Sequence, residues 1–500
     1  MPDLTNQLAP SCAPTSLVDL RLSALILLGL VVAVGSAVPP ARPAAHPPDR
    51  PRPNVVFILT DDLSWNLVPF MPHVRQMQRD GMTFTNYFVT DSLCCPSRAS
   101  IFSGRYPHNH GVLTNTPPTG GFAAFRRGAE SQTFATQLQA GGYSTAMMGK
   151  YLNGYEAEDG YVAPGWSDWQ ATGSGYRGFN YALSANGRVA HFGRSRRAYL
   201  TDVLRRRGKA FISQAGRSGS PFLLEIATFA PHRPATPAPR DRHDFPGIQV
   251  PRDAAFDATP ANPPSWLAGR PPLTQPQIDG LSNEFRRRAQ SVQAVDELVG
   301  QVRRLLRERG LAKNTYVVFS SDNGYHMGQR RLLAGKMTAY DSDVRVPLIV
   351  VGPGVPAGET TDALAENVDL APTFMRLAGT KPPRSVDGRA LVSVLHGTVP
   401  ADWRDAVLIE HHHPETPNGD PDRQTQLSGN PPSYEALRLA DGLYVEYGDG
   451  EREWYDLQTD PDELDNRYGE LSRAERAALH ERLATLTSCR GAGCIRAAAP

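Results

Sequence analysis

Residues 54–62 read NVVFILTDD, a short β-branched apolar run that ends in two aspartates. The length of the run and the proline before it favour a buried strand of a parallel sheet. Ligands of open α/β sheets bind beyond the carboxyl ends of the strands, so Asp61 and Asp62 are candidates for a binding site. Two aspartates after a strand are also common as a helix cap, and this run alone therefore does not establish a site.

Similar apolar runs recur along the chain, and most of them lead into polar residues. They cover residues 143–148, 221–229, 316–320 and 346–351, followed by Gly149-Lys150, Ala230-Pro231-His232, Ser321-Asp322-Asn323-Gly324 and Gly352-Pro353-Gly354. Together with the first run, four separate strand ends carry Asp, Asn, His or Lys. This coincidence predicts one composite active site at the carboxyl ends of several parallel strands.

Helical patterns separate the strands and predict an α/β domain over residues 54–400. Helices are expected over residues 131–140, 283–309 and 369–377, and the long one is amphipathic with Gly310 as its stop. A proline-dense stretch, residues 231–272, either shapes a binding site or forms a surface loop. Short strands (407–410, 437–439 and 443–447) and a helix (472–486) predict a smaller α+β subdomain over residues 401–500.

The charge balance and the N-terminus indicate where the protein acts. With 52 basic and 51 acidic residues, the chain has no electrostatic footprint for nucleic acid or for an anionic membrane. Residues 22–38 carry no charge, so residues 1–38 are interpreted as a secretory signal peptide. The alternative is an uncleaved N-terminal anchor, which would attach the protein to a membrane. Residues 39–53 form a Pro-rich linker, and a secreted or extracytoplasmic location is expected.

Two of the five cysteines lie close together near the C-terminus, in the stretch SCRGAGC. In an oxidising compartment, Cys489 and Cys494 would close a small disulfide loop. The alternative is a pair of free thiols in a flexible tail.

Residues 94–104, CCPSRASIFSG, combine a cysteine, a turn-forming proline, a hydroxyl and a permanent cation. Adjacent cysteines suit neither a metal knuckle nor a disulfide. The pattern C-x-P-S-R-x-x-x-x-S-G instead resembles the signature of type I sulfatases. The resemblance implies that a formylglycine-generating enzyme, reading Pro96 and Ser97, oxidises Cys94 to the aldehyde formylglycine. The hydrated aldehyde would attack the sulfur and later expel sulfate by regenerating the aldehyde, with Arg98 holding the hydrate.

The sulfatase resemblance also implies a fold and a metal site. The fold would be alkaline-phosphatase-like, with a large mixed, mostly parallel sheet between helices. The metal ligands would be Asp61, Asp62, Asp322, Asn323 and the converted Cys94. Oxygen-only sites favour Ca²⁺ or Mg²⁺ over zinc, and the analogy with the family favours Ca²⁺.

Further residues match positions that act on the sulfate group in sulfatases. Lys150 and Lys336 would bind the sulfate oxygens, and His232 would lie on the leaving-group side. Either His232 or Lys336 would protonate the leaving oxygen. Many sulfatases carry a histidine two residues after the first lysine, where this chain has Leu152. His326 is the candidate to replace that base.

Four stretches narrow the resemblance to one group of sulfatases. CCPSRASIFSGRYPHNHG, GKYLNGY, SDNGYHMGQ and SCRGAGC resemble N-acetylglucosamine-6-sulfatases and heparan 6-O-endosulfatases. We therefore expect a sulfated carbohydrate, or another sulfated small molecule, as the substrate. One alternative is a formylglycine-dependent phosphonate monoester or phosphodiester hydrolase. A second is an inactive carbohydrate-binding relative, although Cys94 and Arg98 are both retained.

Overall fold

The computed structural model describes residues 52–413 and 422–500. The expected leader, residues 1–38, and all but the last two residues of the linker lie outside the described residues. Within the two described ranges, no helix combines the length and the apolar character needed to cross a bilayer.

The described residues contain sixteen strands and twelve α-helices. The strands are β1 Asn54–Thr60, β2 Met82–Phe84, β3 Tyr87–Phe88, β4 Ser144–Lys150, β5 Asp168–Thr172, β6 Tyr181–Ala185, β7 Arg188–Phe192, β8 Phe222–Ala227, β9 Thr315–Ser321, β10 Leu348–Val351, β11 Glu359–Thr361, β12 Ala365–Glu366, β13 Ala406–His411, β14 Tyr434–Leu439, β15 Gly442–Tyr447 and β16 Arg452–Asp456. The helices are α1 Pro72–Asp80, α2 Cys94–Ser103, α3 Pro107–His110, α4 Gly121–Arg127, α5 Phe134–Ala140, α6 Leu200–Ser218, α7 Gln275–Glu308, α8 Asp341–Val344, α9 Leu370–Leu377, α10 Val392–Leu395, α11 Arg473–Thr487 and α12 Ala492–Ala497.

The main sheet has ten strands in the order β11-β2-β10-β9-β1-β8-β4-β5-β6-β7. Its centre is parallel: β1 pairs with β8 and β9, and β4 pairs with β8 and β5. The carboxyl ends of β1, β4, β8 and β9 therefore lie side by side at the same end of the parallel strands, as the hypothesis of one composite site requires. The predicted large mixed sheet with a parallel centre is confirmed.

Helices cover both faces of this sheet, which is why its central strands are apolar throughout. Side chains of β1 alternate between the faces: Val55, Phe57 and Leu59 pack with α2, α5 and α9, while Val56 and Ile58 pack with α6 and α7. The amphipathic pattern over residues 283–309 belongs to α7, which begins earlier, at Gln275. A capping box between Thr274 and Gln277 fixes that start.

One predicted strand runs in the opposite direction from the others at the site. The run over residues 346–351 forms β10, which pairs antiparallel with β9. Its carboxyl end, at Gly352, therefore lies at the opposite end of the strands from the carboxyl ends of β1 and β9. An apolar run specifies burial but not direction, because the same side chains are buried in a parallel and in an antiparallel strand.

The C-terminal region forms a second, antiparallel sheet, in the order β13-β14-β15-β16. Helix α11 packs on this sheet through Leu483 and Leu486. A disulfide between Cys489 and Cys494 joins the end of α11 to α12. The predicted smaller α+β region is therefore present, and its sheet is separate from the main one.

The proline-dense stretch, residues 231–272, contains no helix or strand. It is nevertheless tied to α7: Gln290 donates hydrogen bonds to the backbone carbonyls of Arg242 and Asp244, at 3.1 and 2.8 Å. Its first residues lie at the end of β8. The stretch therefore forms part of the wall around the strand ends.

Candidate active site

Cys94 is the first residue of α2, and its side chain is completely buried. Its Sγ lies 2.9 Å from Nζ of Lys336 and 3.4 Å from Oδ1 of Asp61. Burial and the carboxylate of Asp422 raise the pKa of the Cys94 thiol well above its usual range, although Lys150 and Lys336 oppose them. The unmodified residue is therefore a neutral thiol.

Four oxygen-bearing side chains meet beside Cys94 at the ends of β1 and β9. They are Asp61, Asp62, Asp322 and Asn323, and all are buried. The backbone N–H of Asp62 donates to Oδ1 of Asp322 at 3.0 Å, which holds the two strand ends together. Ligand atoms of Asp61, Asp62, Cys94 and His232 all lie within 4.8 Å of one another.

This donor set fits a divalent cation. Nδ2 of Asn323 donates to Oδ1 of Asp62 at 2.7 Å, so its amide oxygen points the other way. The amide oxygen of Asn323, Oδ1, is buried and has no hydrogen-bond partner among the described residues. An orphaned buried carbonyl beside three carboxylates is the environment that Ca²⁺ and Mg²⁺ prefer. Asp61, Asp62, Asp322 and Asn323 are thus the residues that would hold the ion.

Cationic side chains surround the carboxylates. Nζ of Lys150 lies 2.8 Å from Oδ2 of Asp61, and Nζ of Lys336 lies 2.7 Å from Oδ1 of Asp62. Burial alone would raise the pKa of Asp61, but Lys150, His232 and Arg98 outweigh it, so that pKa is lowered. Burial would likewise lower the pKa of both lysines, and the facing acids raise it instead. Both lysines therefore remain charged.

Arg98 connects the strand ends to the start of α2. Its Nε donates to Oδ2 of Asp322 at 2.8 Å, and its Nη1 donates to the carbonyl of Lys150 at 3.1 Å. Its Nη2 is buried, has no hydrogen-bond partner in the described part of the chain, and lies 3.9 Å from Oδ1 of Asp61. An unused donor of a buried guanidinium, this close to the first carboxylate, is available to an oxygen of the modified residue or of the substrate.

His232, at the end of β8, is held in its doubly protonated form. Its Nδ1 lies 2.8 Å from the carbonyl of Arg233, which can only accept, so Nδ1 carries a proton. Its Nε2 lies 2.7 Å from a carboxylate oxygen of Asp422, so Nε2 is also a donor. Burial lowers the pKa of His232, but Asp62, Asp61 and Asp422 raise it above its ordinary value. The imidazolium can therefore give a proton to a leaving oxygen.

Asp422 completes the site and carries no signal in the sequence. Its Oδ1 lies 2.6 Å from Nζ of Lys336 and 3.7 Å from Sγ of Cys94. Its Oδ2 accepts hydrogen bonds from Nδ2 of Asn115 at 2.6 Å and Nδ2 of Asn153 at 3.0 Å. A carboxylate therefore sits in a cradle of cations and amides next to Cys94. Asn115 was also missed from the sequence, because it follows no strand.

His326, the candidate for the missing base, and the residues around Leu152 have different surroundings. His326 is buried and bonded through both ring nitrogens, Nδ1 at 2.9 Å from Asp343 and Nε2 at 2.8 Å from the carbonyl of Ser428. This arrangement does not support a role for His326 as the base. Leu152 is buried in the apolar core. Its neighbour Asn153 instead places its amide group in the cradle.

Comparison with known protein families identifies the family of this chain. The family model described as Sulfatase matches residues 53–380, and the C-terminal model of N-sulphoglucosamine sulphohydrolase matches residues 331–488. The chain belongs to the sulfatase family. Family membership implies sulfuric ester hydrolysis, a formylglycine and a divalent metal, and the buried cluster of Asp61, Asp62, Cys94 and His232 is in keeping with them.

Several relatives resemble this sulfatase over most of its length. The N-acetylglucosamine-6-sulfatase of Homo sapiens is 35% identical over 518 residues, covering 97% of this chain and 90% of the relative. The extracellular sulfatase SULF-1 homolog of Drosophila melanogaster is 35% identical over 369 residues, covering 72% of this chain and 33% of the relative. The predicted likeness to these groups is confirmed.

A solved structure shows the fold. A protein in complex with its substrate D-glucosamine-2-N,6-O-disulfate matches with a TM-score of 0.73 and 24% identity, covering 87% of this chain and 97% of the other. The predicted alkaline-phosphatase-like architecture is confirmed.

Proposed function

We propose that this sulfatase removes 6-O-sulfate from N-acetylglucosamine-type sugars, using a formylglycine made from Cys94. One observation carries the proposal: the carboxylate of Asp422 lies in a cradle formed by Lys336, His232 and two amides, next to Cys94. A sulfate monoester bears a single negative charge on its terminal oxygens, as a carboxylate does. The cradle therefore has the charge and the donors that a bound sulfate group needs.

The side chains divide the reaction between them. Lys336 and Lys150 neutralise the sulfate oxygens. Arg98 orients the oxygen of the modified residue through its Nη2, which no other described residue engages in a hydrogen bond. The formylglycine hydrate would supply the attacking oxygen, and loss of the proton of its second hydroxyl to water would let the aldehyde re-form as sulfate leaves. His232 donates its Nε2 proton to the sugar oxygen as the bond from sulfur to that oxygen breaks.

The cation is proposed to be Ca²⁺, with Mg²⁺ as the alternative. Asp61, Asp62, Asp322 and Asn323 would hold it, together with the converted Cys94. The ion would supply positive charge to the anionic sulfate group and to the attacking oxygen. The buried, unpartnered Oδ1 of Asn323 supports the assignment to a hard cation.

An extracytoplasmic location and a carbohydrate substrate complete the proposal. The names of the human and Drosophila relatives support a sugar substrate and an extracellular site of action. The disulfide between Cys489 and Cys494 suits an oxidising compartment. The uncharged run at residues 22–38 is interpreted as the export signal, and residues 54–400 and 401–500 as the catalytic domain and the C-terminal subdomain.

Turnover of defined esters tests the proposal. Protein produced with a formylglycine-generating enzyme would be assayed on N-acetylglucosamine 6-sulfate, 4-nitrophenyl sulfate and a phenylphosphonate monoester, with mass spectrometry of the Cys94 peptide. We expect formylglycine at Cys94 and the highest kcat/KM on the sugar sulfate. Preference for the phosphonate would favour the alternative hydrolase. An unmodified Cys94 in protein from the native host, with no turnover, would favour the inactive carbohydrate-binding relative.

A further inference from the structure

A cavity of about 790 Å³ lies beside the catalytic residues, and its volume suits a saccharide. The ring of Tyr176 lies between this cavity and the catalytic residues. Its centroid is 4.7 Å from that of the His232 ring and 5.2 Å from Nζ of Lys150, while Tyr176 also lines the cavity. The cavity therefore lies next to the His232 side of the sulfate cradle, across the ring of Tyr176.

The lining of this cavity is cationic. Arg177, Arg233, Arg287 and a single acid, Glu284, contribute to it. Glu284 is already engaged, because Arg233 donates to both of its oxygens at 2.8 and 2.9 Å. Arg177 and Arg287 are exposed, and neither forms an ion pair within the described ranges. Two guanidinium groups therefore face the cavity without a compensating charge.

The cavity is fixed relative to the catalytic residues by α7. Arg288, which follows Arg287, donates a hydrogen bond to the backbone carbonyl of Asp62 and another to that of Pro231, the latter at 3.4 Å. The guanidinium of Arg288 also lies 4.1 Å from the ring centroid of Tyr325. The helix position that carries Arg287 is thus anchored directly to the metal-binding strand end.

We propose that Arg177 and Arg287 bind a second anionic group of the same saccharide, a sulfate or a carboxylate. The inference rests on the proposed function. His232 protonates the leaving oxygen, so the sugar extends from the sulfur toward His232 and past Tyr176 into the cavity. A guanidinium pairs well with a sulfate or a carboxylate because both present two oxygens to its parallel donors. This sulfatase would therefore prefer 6-sulfated sugars that carry a further negative charge.

Three substrates test the preference. They are N-acetylglucosamine 6-sulfate, glucosamine 2-N,6-O-disulfate, and a disaccharide in which 6-sulfated N-acetylglucosamine is linked to a uronic acid. The wild type would be compared with the double variant Arg177→Gln/Arg287→Gln. Arg304→Gln is the matched control, because Arg304 is exposed on the same helix and does not line the cavity. The second and third substrates distinguish a sulfate from a carboxylate as the bound group.

We expect wild-type kcat/KM to be higher for at least one doubly charged substrate than for the monosulfate. In the double variant, the ratio of kcat/KM for the doubly charged substrate to kcat/KM for the monosulfate should fall about tenfold, the order expected for the loss of two exposed charge-assisted contacts. In wild type, the same ratio should fall as the salt concentration is raised. Arg304→Gln should keep the wild-type ratio. An equal loss on all three substrates, or no wild-type preference, would overturn this inference and leave the proposed function standing. A wild type inactive on all three would overturn both.

Discussion

Nζ of Lys336 lies 2.6 Å from Oδ1 of Asp422, and the same nitrogen lies 2.9 Å from Sγ of Cys94. The carboxylate thus stands where a sulfate group would have to bind. A substrate must displace it, or share the cations with it. Asp422 is therefore expected to compete with anions for the cradle.

Replacing Asp422 by asparagine should strengthen the binding of inorganic sulfate. The substitution keeps the shape of the side chain and removes the negative charge that Lys336 and His232 now neutralise. We expect the inhibition constant of sulfate, measured with 4-nitrophenyl sulfate as the reporter, to fall several-fold. The exposed Asp159→Asn is the control and should leave it unchanged. A weaker inhibition by sulfate in Asp422→Asn would show that the carboxylate supports binding instead of competing.

The two adjacent cysteines provide a second comparison. Cys94→Ala should abolish turnover, because the precursor of the attacking oxygen is removed. Cys95 is equally buried, but its side chain packs in the apolar core. Cys95→Ala should keep activity within a few-fold and lower stability by about 1 kcal/mol through the small cavity left behind. Turnover of 4-nitrophenyl sulfate and thermal unfolding measure the two effects. Comparable activity of the two variants would contradict the assignment of Cys94.

Removal of the metal should affect both activity and stability. Without a cation, Asp61, Asp62 and Asp322 bring three carboxyl groups together in a buried space, and ligand binding to the native state is lost. Dialysis against a chelator should therefore abolish turnover and lower Tm, and Ca²⁺ should restore both at lower concentration than Mg²⁺. Asn323→Ala should raise the Ca²⁺ concentration needed. Full activity and an unchanged Tm after chelation would contradict the site.

Much of this site could be predicted because strand ends are local features of a sequence. Four buried apolar runs lead into Asp61-Asp62, Lys150, His232 and Asp322-Asn323. Once the strands are parallel, these side chains lie together at the carboxyl ends of the strands. Asp422 could not be predicted, since it lies in a loop without periodicity and is separated from Cys94 by 328 residues. The direction of β10 also escaped prediction, because burial is the same for both directions.

His326 illustrates a different limit. Its place shortly after Asp322 and Asn323 makes His326 a candidate for the base, yet its ring is hydrogen-bonded to Asp343 and to the carbonyl of Ser428. Sequence spacing gives the position of a backbone but not the direction of a side chain in a loop. The backbone of His326 also pairs with that of Gly335, which precedes Lys336. His326 therefore helps to hold the segment that carries Lys336.

The two histidines should therefore respond differently to glutamine. His232→Gln removes a proton donor that matters most when the leaving alcohol is a sugar, and kcat should fall roughly 10²–10³-fold. On 4-nitrophenyl sulfate the fall should be much smaller, because that leaving group departs without a proton. His326→Gln should lower kcat by a similar factor on both substrates, since its effect is on position. Equal losses for His232→Gln on both substrates would contradict its role as the acid.

Glu225, in the centre of β8, makes stability depend on pH. Both of its carboxyl oxygens are buried without a hydrogen-bond partner among the described residues, and burial raises its pKa to about 8, with Arg98 opposing. In the folded protein the carboxyl group is neutral below that pKa, whereas in the unfolded chain it ionises near 4.5. The folded state therefore binds more protons between these two values, so this group costs stability increasingly as the pH rises from about 4.5 to 8.

Glu225→Gln removes that titration while keeping a neutral group of the same shape. The Tm of the variant relative to wild type should therefore rise by about a few degrees between pH 5 and pH 8, and the difference should level off above pH 8. Thermal unfolding at several pH values in one buffer series, with the metal concentration held constant, measures it. Glu297→Gln, on the half-exposed side of α7, is the control for the loss of a carboxylate near the surface. A pH-independent difference for Glu225→Gln would show that the carboxyl group is ionised in the folded protein, with Arg98 as its counter-charge.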